Sequence, residues 1–327
     1  MFSSILTQSS LENAAPCVRF APSPNGYMHL GHAYAGLFAL RTAKALNAKF
    51  IIRIEDIDST RCNEHYEKQM LEDLEWLGII PDEPPLRQSN RIGFYKAALK
   101  QIHELGLLFP SILSRKELAQ IASVKEAQQA FSWPRDPDGG QLYAGEEFAL
   151  LPIQQKMMYS HPEGCALRLN MDKALLHLQK KTNKTDELIW QEIGIGPANE
   201  AGLTRAHPED WGHTVLKRRD LETSYHIACV VDDALQHVTH VVRGQDMFYA
   251  TSLQLLLQRL LGFPTPIYCH HPLVVDDSGR KLSKSDNDLA IKTLRERGWS
   301  SQDVIAELNL PDFSQFQSSH HPKQSNF

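Results

Sequence analysis

Apolar positions fall first into short unbroken runs separated by helical spacings, then into a turn-rich middle, then into runs again. "CVRFA" (residues 17–21) predicts a strand, and over residues 32–46 Ala35, Leu37, Phe38, Leu40, Ala43 and Leu46 recur at helical spacing. "KFIIRIEDID" (49–58) starts apolar and ends acidic, which fits a buried strand. Strand, helix and strand in close succession make a βαβ unit, the seed of a parallel sheet. Two helices follow, "NEHYEKQMLEDLEWLG" and "NRIGFYKAALKQIHELG", each ending at a glycine, Gly78 or Gly106, in the place of a C-terminal cap.

From residue 110 to about 210 the pattern breaks up. "SWPRDPDGGQLYAG" and "IGIGPANEAG" are turn-rich, and strand and helix signals are short and mixed, as in an insertion between two halves of a sheet. Sheet texture returns with "HIACVVDDALQHVTHVVRGQDM", then the helix "ATSLQLLLQRLLG" and the strand "PIYCHHPLVV". After "DDSGRKLSKSDN" one short helical stretch is expected. The plan is thus a loose arm over 1–15, a first half-sheet over 16–109, an inserted subdomain over 110–210, a second half over 211–287, and a helical segment with a polar, disordered tail over 288–327.

Composition narrows the class. The chain has 327 residues, 42% hydrophobic and 22% charged, enough for a sizeable core and a length of two or so domains. No apolar run approaches the roughly 20 residues of a membrane span, and "MFSSILTQSS" lacks the basic and apolar regions of a signal peptide. Cys17, Cys62, Cys165, Cys229 and Cys269 lie far apart, with no CxxC pair, which favours reduced thiols in a cytoplasmic protein. A net charge of −5 does not favour nucleic acid as a partner, so any such role must come from local patches.

Two short stretches carry candidate chemistry. "HLGH" stands where the first strand hands over to its helix, a place with free backbone N–H groups and a positive dipole end that suits phosphate. Gly31, without a β-carbon, lets a flat ligand approach, and His29 and His32 can each donate a hydrogen bond to phosphate oxygens. Alone, such a pair is more often a helix cap or packing histidines. "GRKLSKSDN" (279–287) is a polar loop whose Lys281 and Lys284 could clamp phosphates as pyrophosphate leaves. Alone it is a solvated basic loop. Together the two describe a nucleotidyl-transfer site.

"RFAPSPNGYMHLGH", "IRIEDID", "YHIACVVDDALQHVTHVVRGQD" and "KLSKS", in this order, resemble the glutamyl-tRNA synthetase family of class I aminoacyl-tRNA synthetases, from about Val18 to Asn287. The resemblance implies an α/β fold, a Rossmann-type class I catalytic core with an inserted α+β subdomain. HLGH and KLSKS, its HIGH and KMSKS motifs, would bind ATP, brought as substrate with Mg²⁺, with His29, Gly31, His32, Lys281 and Lys284 as the residues involved. It implies a glutamate pocket in which Arg19 and Arg243 hold the carboxylates, Tyr225 adds a hydroxyl, and Glu55, helped by Ser23, faces the ammonium, with Ala21 among the glutamate-binding residues. Arginine suits this task because its fork grips a carboxylate with two hydrogen bonds. Without the resemblance, Glu55, Asp56 and Asp58 would read as an acidic strand end or a metal site, and Arg243 as a surface ion-pair partner.

Three departures refine this. Members of full length continue past the lysine loop into domains that read the anticodon, whereas here some forty residues follow KLSKS. That short plan, with no anticodon-binding domain expected, resembles the glutamyl-Q tRNA(Asp) synthetases, paralogues that attach glutamate to queuosine in the anticodon loop. Next, where many members bind zinc through CxC, tyrosine and cysteine, this chain has Ser111, Leu113, Tyr143 and Glu147. That set lacks thiolates, so no structural zinc is expected, and His161 and His177 read as surface or packing residues. Finally, between Ser111 and Trp211 eleven Lys and Arg face fourteen Asp and Glu, leaving "QKKTNK" (179–184) and "LKRRD" (216–220) as the best candidates for RNA phosphates.

The resulting expectation is a monomeric, cytoplasmic ligase that binds L-glutamate, ATP and tRNA, with queuosine-containing tRNA(Asp) favoured. The alternatives are a catalytic fragment that charges tRNA(Glu) and a non-catalytic paralogue that binds glutamate or adenylate. Another HxGH nucleotidyltransferase, such as a pantothenate synthetase, would not carry the RIEDID, VVDD and RGQD set.

Overall fold

The structure, a computed structural model, describes residues 8–12, 14–129, 131–146, 165–181, 188–275 and 290–317. Helix α1 (Gln8–Glu12) precedes β1 (Cys17–Phe20), α2 (Leu30–Ala45) and β2 (Lys49–Ile54), and the last three form the expected βαβ unit. β1 and β2 pair in parallel, Arg19 opposite Ile51. Helix α3 (Glu64–Trp76), the two-residue strand β3 (Leu86–Arg87) and helix α4 (Ile92–Glu104) follow. Both helices run out at glycines with positive φ, Gly78 at 73° and Gly106 at 72°, the left-handed conformation in which a Cβ is penalised.

The middle of the chain holds β4 (Leu108–Ser111), α5 (Arg115–Gln129), β5 (Ala166–Leu169), α6 (Met171–Lys181), β6 (Ile189–Glu192), β7 (Gly202–Arg205) and β8 (Val215–Lys217). Beyond it come α7 (Tyr225–Leu235), β9 (His240–Gly244), α8 (Ala250–Leu261), β10 (Ile267–His271), α9 (Ile291–Glu296), α10 (Ser301–Glu307) and α11 (Ser314–Gln317). One sheet has seven strands in the order β3-β2-β1-β9-β10-β6-β7, parallel except for β6 against β7. The other is antiparallel, β4-β5-β8. The fold is α/β with a Rossmann-like parallel sheet, as expected.

Both faces of the large sheet are covered, and the two-residue period of its strands sorts side chains between them. Val18, Phe20, Phe50, Ile52 and Ile54 pack with α2 and α3 in one core cluster. Cys17 and Ile51 point the other way, into a cluster with Val241 and Tyr268. Arg19 and Arg53 share this second parity, so both reach towards α7, where Asp233 lies. Each large side chain buried here stabilises the fold by roughly 1.5–3 kcal/mol, so the core tolerates a few charges only where they are paired.

Several expectations are corrected. "HIACVVDDAL", expected as sheet, is α7 from its second residue on. Ile227 to Ala234 are all buried, so no polar stripe reveals the helical period, and the β-branched pair Val230–Val231 mimics a strand. Residues 8–12, assigned to a loose arm, form α1, with Leu11 buried and Gln8 accepting a hydrogen bond from the Thr265 N–H. Three short helices, among the described residues, stand where one was expected after KLSKS. Phe316, placed in the polar tail, is buried beside Phe38 and Phe313.

The sheets also divide the chain elsewhere than its texture suggested. The β6–β7 hairpin, inside the expected insertion, belongs to the large sheet, and β8, beyond it, belongs to the small one. A hairpin can join any open edge, and local composition does not say which.

Candidate active site

Connections from β1 and from β9 run in opposite directions, β1 through α2 to β2 and β9 through α8 to β10. The carboxyl ends of β1 and β9 therefore flank a topological switch point, where open parallel sheets form a crevice. A chamber of about 670 Å³ opens there, lined by the end of β1 and the residues after it, by the start of α2, by Tyr225, and by Val242–Gly244, His271, Leu273 and Val274 at the ends of β9 and β10. A second chamber of about 720 Å³ adjoins it, lined by Glu55, Asp58 and Gln88 on one side and by Leu113, Arg168 and Arg218 of the small-sheet side on the other. Ser23, Asn25, Arg61 and Tyr225 line both, so the two make one cleft.

His29 is the N-cap of α2. Its Nδ1 accepts from the Gly31 N–H at 3.1 Å, and His32 Nδ1 accepts from the His29 N–H at 3.3 Å, a reciprocal capping box. The ring centroids lie 3.9 Å apart. Since each Nδ1 accepts, each neutral ring carries its proton on Nε2, and both histidines are donors at that atom. A Cβ at Gly31 would come within 3.0 Å of the His29 ring, which the cap needs in place. His29 also bridges to Ala290, and the Ile291 N–H bonds the Met28 carbonyl at 2.8 Å. Lys281 and Lys284 lie outside the described residues.

Arg19 and Arg243 both line the first chamber and are both buried. Arg19 donates to Asp233 Oδ1 (3.3 Å) and to the Val242 carbonyl (3.1 Å). The same carboxylate oxygen accepts from Arg53 Nη1 at 2.7 Å, and Arg53 Nη2 donates to Glu55 at 3.2 Å. Burial would raise the Asp233 pKa, but the two guanidiniums outweigh it and hold the carboxyl down to about 2. Glu55 is pushed up by burial, with Arg53 and Arg19 opposing. Arg243 donates instead to neutral groups, Thr251 Oγ1 (2.7 Å), Gln254 Oε1 (2.8 Å) and His270 Nε2 (3.1 Å).

The cleft thus brings together two buried arginines and a capped histidine pair, all of them groups that can donate hydrogen bonds to anions. Residues 17–320 match the family described as tRNA synthetases class I (E and Q), catalytic domain. The chain belongs to this family. It is 42% identical over 299 residues to a glutamyl-Q tRNA(Asp) synthetase of Rhodobacter capsulatus, covering 89% of this chain and 99% of that one. A glutamate–tRNA ligase of Aquifex aeolicus is 32% identical over 90% of this chain, which spans only 57% of the ligase. In structure, a glutamate tRNA ligase of Elizabethkingia meningosepticum superposes with a TM-score of 0.65 at 27% identity, over 84% of this chain and 53% of that one.

This class I synthetase is therefore a ligase by family, and the family uses ATP. Of the expected substrate residues, Arg19, Ala21, Ser23, Tyr225 and Arg243 line the first chamber with His29, Gly31 and His32. Glu55 lies in the second, reached past Ser23 and Tyr225. Among the described residues no group of three His, Cys, Asp or Glu is arranged to hold a metal ion, and the carboxylate that they bring to the first chamber is that of Asp246.

Around the positions compared with zinc ligands in the sequence, Ser111 Oγ and Tyr143 OH lie 3.2 Å apart and the Arg168 guanidinium covers the Tyr143 ring at 4.2 Å. Leu113 turns to the second chamber. Glu147 and His161 are outside the described residues, and His177 is half-buried on α6. Arg218 and Arg219 of "LKRRD" line the second chamber, Arg218 paired with Asp58 and Asp220, while residues 182–184 of "QKKTNK" are not described. No described helix is long and apolar enough to cross a membrane.

The sequence reading gave no role to Arg53, Asp233, Glu192 or His270. For three of them signals were present: an arginine inside a buried strand, aspartates closing an apolar run, and histidines at the end of a strand, whereas Glu192 lies in the mixed middle of the chain. A polar residue in such a run must find a partner, which marks it as part of a network.

Proposed function

We propose that the chain activates L-glutamate with ATP and transfers it to queuosine in the anticodon loop of tRNA(Asp). The family restricts the amino acid to glutamate or glutamine. Two arginines beside one chamber favour glutamate, because glutamine would leave a buried cation without its charged partner.

Glutamate's α-carboxylate is ionised at neutral pH, so activation needs no general base. A carboxylate oxygen attacks the α-phosphorus of ATP, the bond to the β-phosphate oxygen breaks, and pyrophosphate leaves. His29 and His32, with Nε2–H directed by their capped Nδ1 atoms, stabilise charge on the phosphate oxygens. Lys284, with Lys281, meets the departing pyrophosphate. Magnesium, carried by ATP, neutralises phosphate charge. A hydroxyl of the RNA then attacks the activated carbonyl, the bond from that carbon to the AMP phosphate oxygen breaks, and AMP leaves as its phosphate takes the hydroxyl proton. Glu55, in the second chamber past Ser23 and Tyr225, faces the glutamate ammonium. The second chamber, with Arg218 and Arg219 on its wall, receives the RNA loop, whose single-stranded bases can be splayed out.

The observation that carries the choice of acceptor is the 42% identity across nearly the whole glutamyl-Q tRNA(Asp) synthetase of R. capsulatus, against 32% to the A. aeolicus glutamate–tRNA ligase. Labelled glutamate offered with total tRNA tests it. Label is expected on tRNA(Asp) and absent when the RNA comes from cells unable to make queuosine. Strong charging of tRNA(Glu), with none on tRNA(Asp), would overturn the reading in favour of a glutamate–tRNA ligase.

A further inference from the structure

Behind Arg243 stands a buried relay with no place in the chemistry above. Glu192, the last residue of β6, and His270, on β10, are both inaccessible to solvent. The Glu192 carboxylate accepts four N–H groups. Oε1 takes the backbone N–H of His270 and of Gly194, each at 2.9 Å, while Oε2 takes His270 Nδ1–H at 2.7 Å and Trp190 Nε1–H at 3.3 Å. Such a carboxylate stays ionised, and its pKa is lowered by the His270 bonds in spite of burial. The backbone is shaped around the contact, since a Cβ on Gly194 would lie 2.2 Å from the His270 carbonyl oxygen.

The consequence passes through a tautomer. An anion at Nδ1 keeps the proton on that nitrogen, which leaves Nε2 as an acceptor, and Arg243 Nε–H donates to it at 3.1 Å. Burial drives the His270 pKa down to about 4, so the ring is neutral at physiological pH. In the other tautomer, or as imidazolium, Nε2–H would face Nε–H, donor against donor. Nε, Nη1 and Nη2 are each tied once, so these bonds leave one N–H on each terminal nitrogen as a donor for a ligand.

We infer that Glu192 and His270 are positioning residues that hold Arg243 in the orientation required to bind a carboxylate of the amino-acid substrate. The inference rests on the proposal that Arg243 binds glutamate. A purely structural pair, pinning β6 to β10, would affect stability but not one substrate selectively.

The test is pyrophosphate exchange by the full chain, with KM for glutamate and for ATP measured separately. Glu192→Gln keeps the shape but can donate to Nδ1, which favours the wrong tautomer. His270→Leu removes the acceptor, and His270→Gln restores one near the Nε2 position. Glu192→Gln and His270→Leu are expected to raise the glutamate KM about tenfold, the size of one charge-assisted hydrogen bond. The ATP KM should stay within about twofold and His270→Gln should recover most of the loss. In an Arg243→Ala background, Glu192→Gln should add nothing further.

If Arg243→Ala alone leaves the glutamate KM unchanged, the assignment of Arg243 fails and the relay fails with it. If Arg243→Ala raises that KM while the relay variants move both KM values equally, or only lower Tm, the relay is overturned and the assignment stands. Should Glu192→Gln not fold, the contrast between His270→Gln and His270→Leu decides.

Discussion

Arg19 and Arg243 stand on the adjacent strands β1 and β9 and line one chamber, yet their charges are balanced in opposite ways. Arg19 touches its counter-ion: Asp233 accepts from it and from Arg53, and Arg53 in turn contacts Glu55. Arg243 touches Thr251, Gln254 and His270, and its counter-charge, Glu192, lies beyond an imidazole. Coulomb attraction falls with distance, so a carboxylate in contact competes with an incoming ligand more strongly than one behind a ring. Arg19 is thus fixed firmly with part of its charge answered, whereas Arg243 is oriented with more of its charge left for a ligand.

The sharpest way to break this comparison is to remove the touching counter-ion. Asp233→Ala leaves two buried guanidiniums facing each other, and a loss of about 3–5 kcal/mol of stability is expected in denaturant titrations. A loss below 1 kcal/mol would mean that water or a rearranged Glu55 replaces Asp233, and that the network is not the rigid one described.

A direct contrast comes next. Arg243→Lys should lower kcat/KM for glutamate by about 100-fold and Arg19→Lys by about tenfold, because the ammonium loses the bidentate grip but the touching anion already shares the charge of residue 19. The reverse order in pyrophosphate exchange would invert the roles assigned to the two arginines.

Acid separates the two networks. His270 is depressed to about 4 from an ordinary value near 6.5, so its neutral native state contributes stability that is complete above about pH 6.5 and is lost as pH falls towards 4. At pH 5 the loss is on the order of 2 kcal/mol for a group of this kind. His226, also pushed to about 4 by burial, adds a similar fall, and Glu55, raised by burial, works in the opposite sense. Asp233, at about 2, is silent in this window. Melting temperatures from pH 7 to 5 should therefore drop less steeply in His270→Gln than in the unaltered chain. Parallel curves would place the acid sensitivity elsewhere.

The smallest effect is expected at the histidine cap. Gly31→Ala should cost about 1 kcal/mol as the new methyl displaces the His29 ring from its capping bond, with KM for ATP raised a few-fold and KM for glutamate unmoved. An equal change in both constants would show that the methyl disturbs the whole cleft.

Much of this molecule could be read along the chain. The first βαβ unit, the glycine ends of α3 and α4, and the cap position of His29 depend on φ, ψ preferences and on spacings of a few residues, which sequence states directly. The parity of Arg19 with Cys17, and of Arg53 with Ile51, was implicit as well, because side chains alternate along any strand. Which partners they meet was not implicit. Asp233 joins Arg19 and Arg53 across 214 and 180 residues, and Glu192 reaches His270 across 78, only because β9 lies between β1 and β10 and β6 adds to the far side. Strand order and the burial of α7 on every side are settled by how elements cover each other's apolar faces, a global condition that no local window contains.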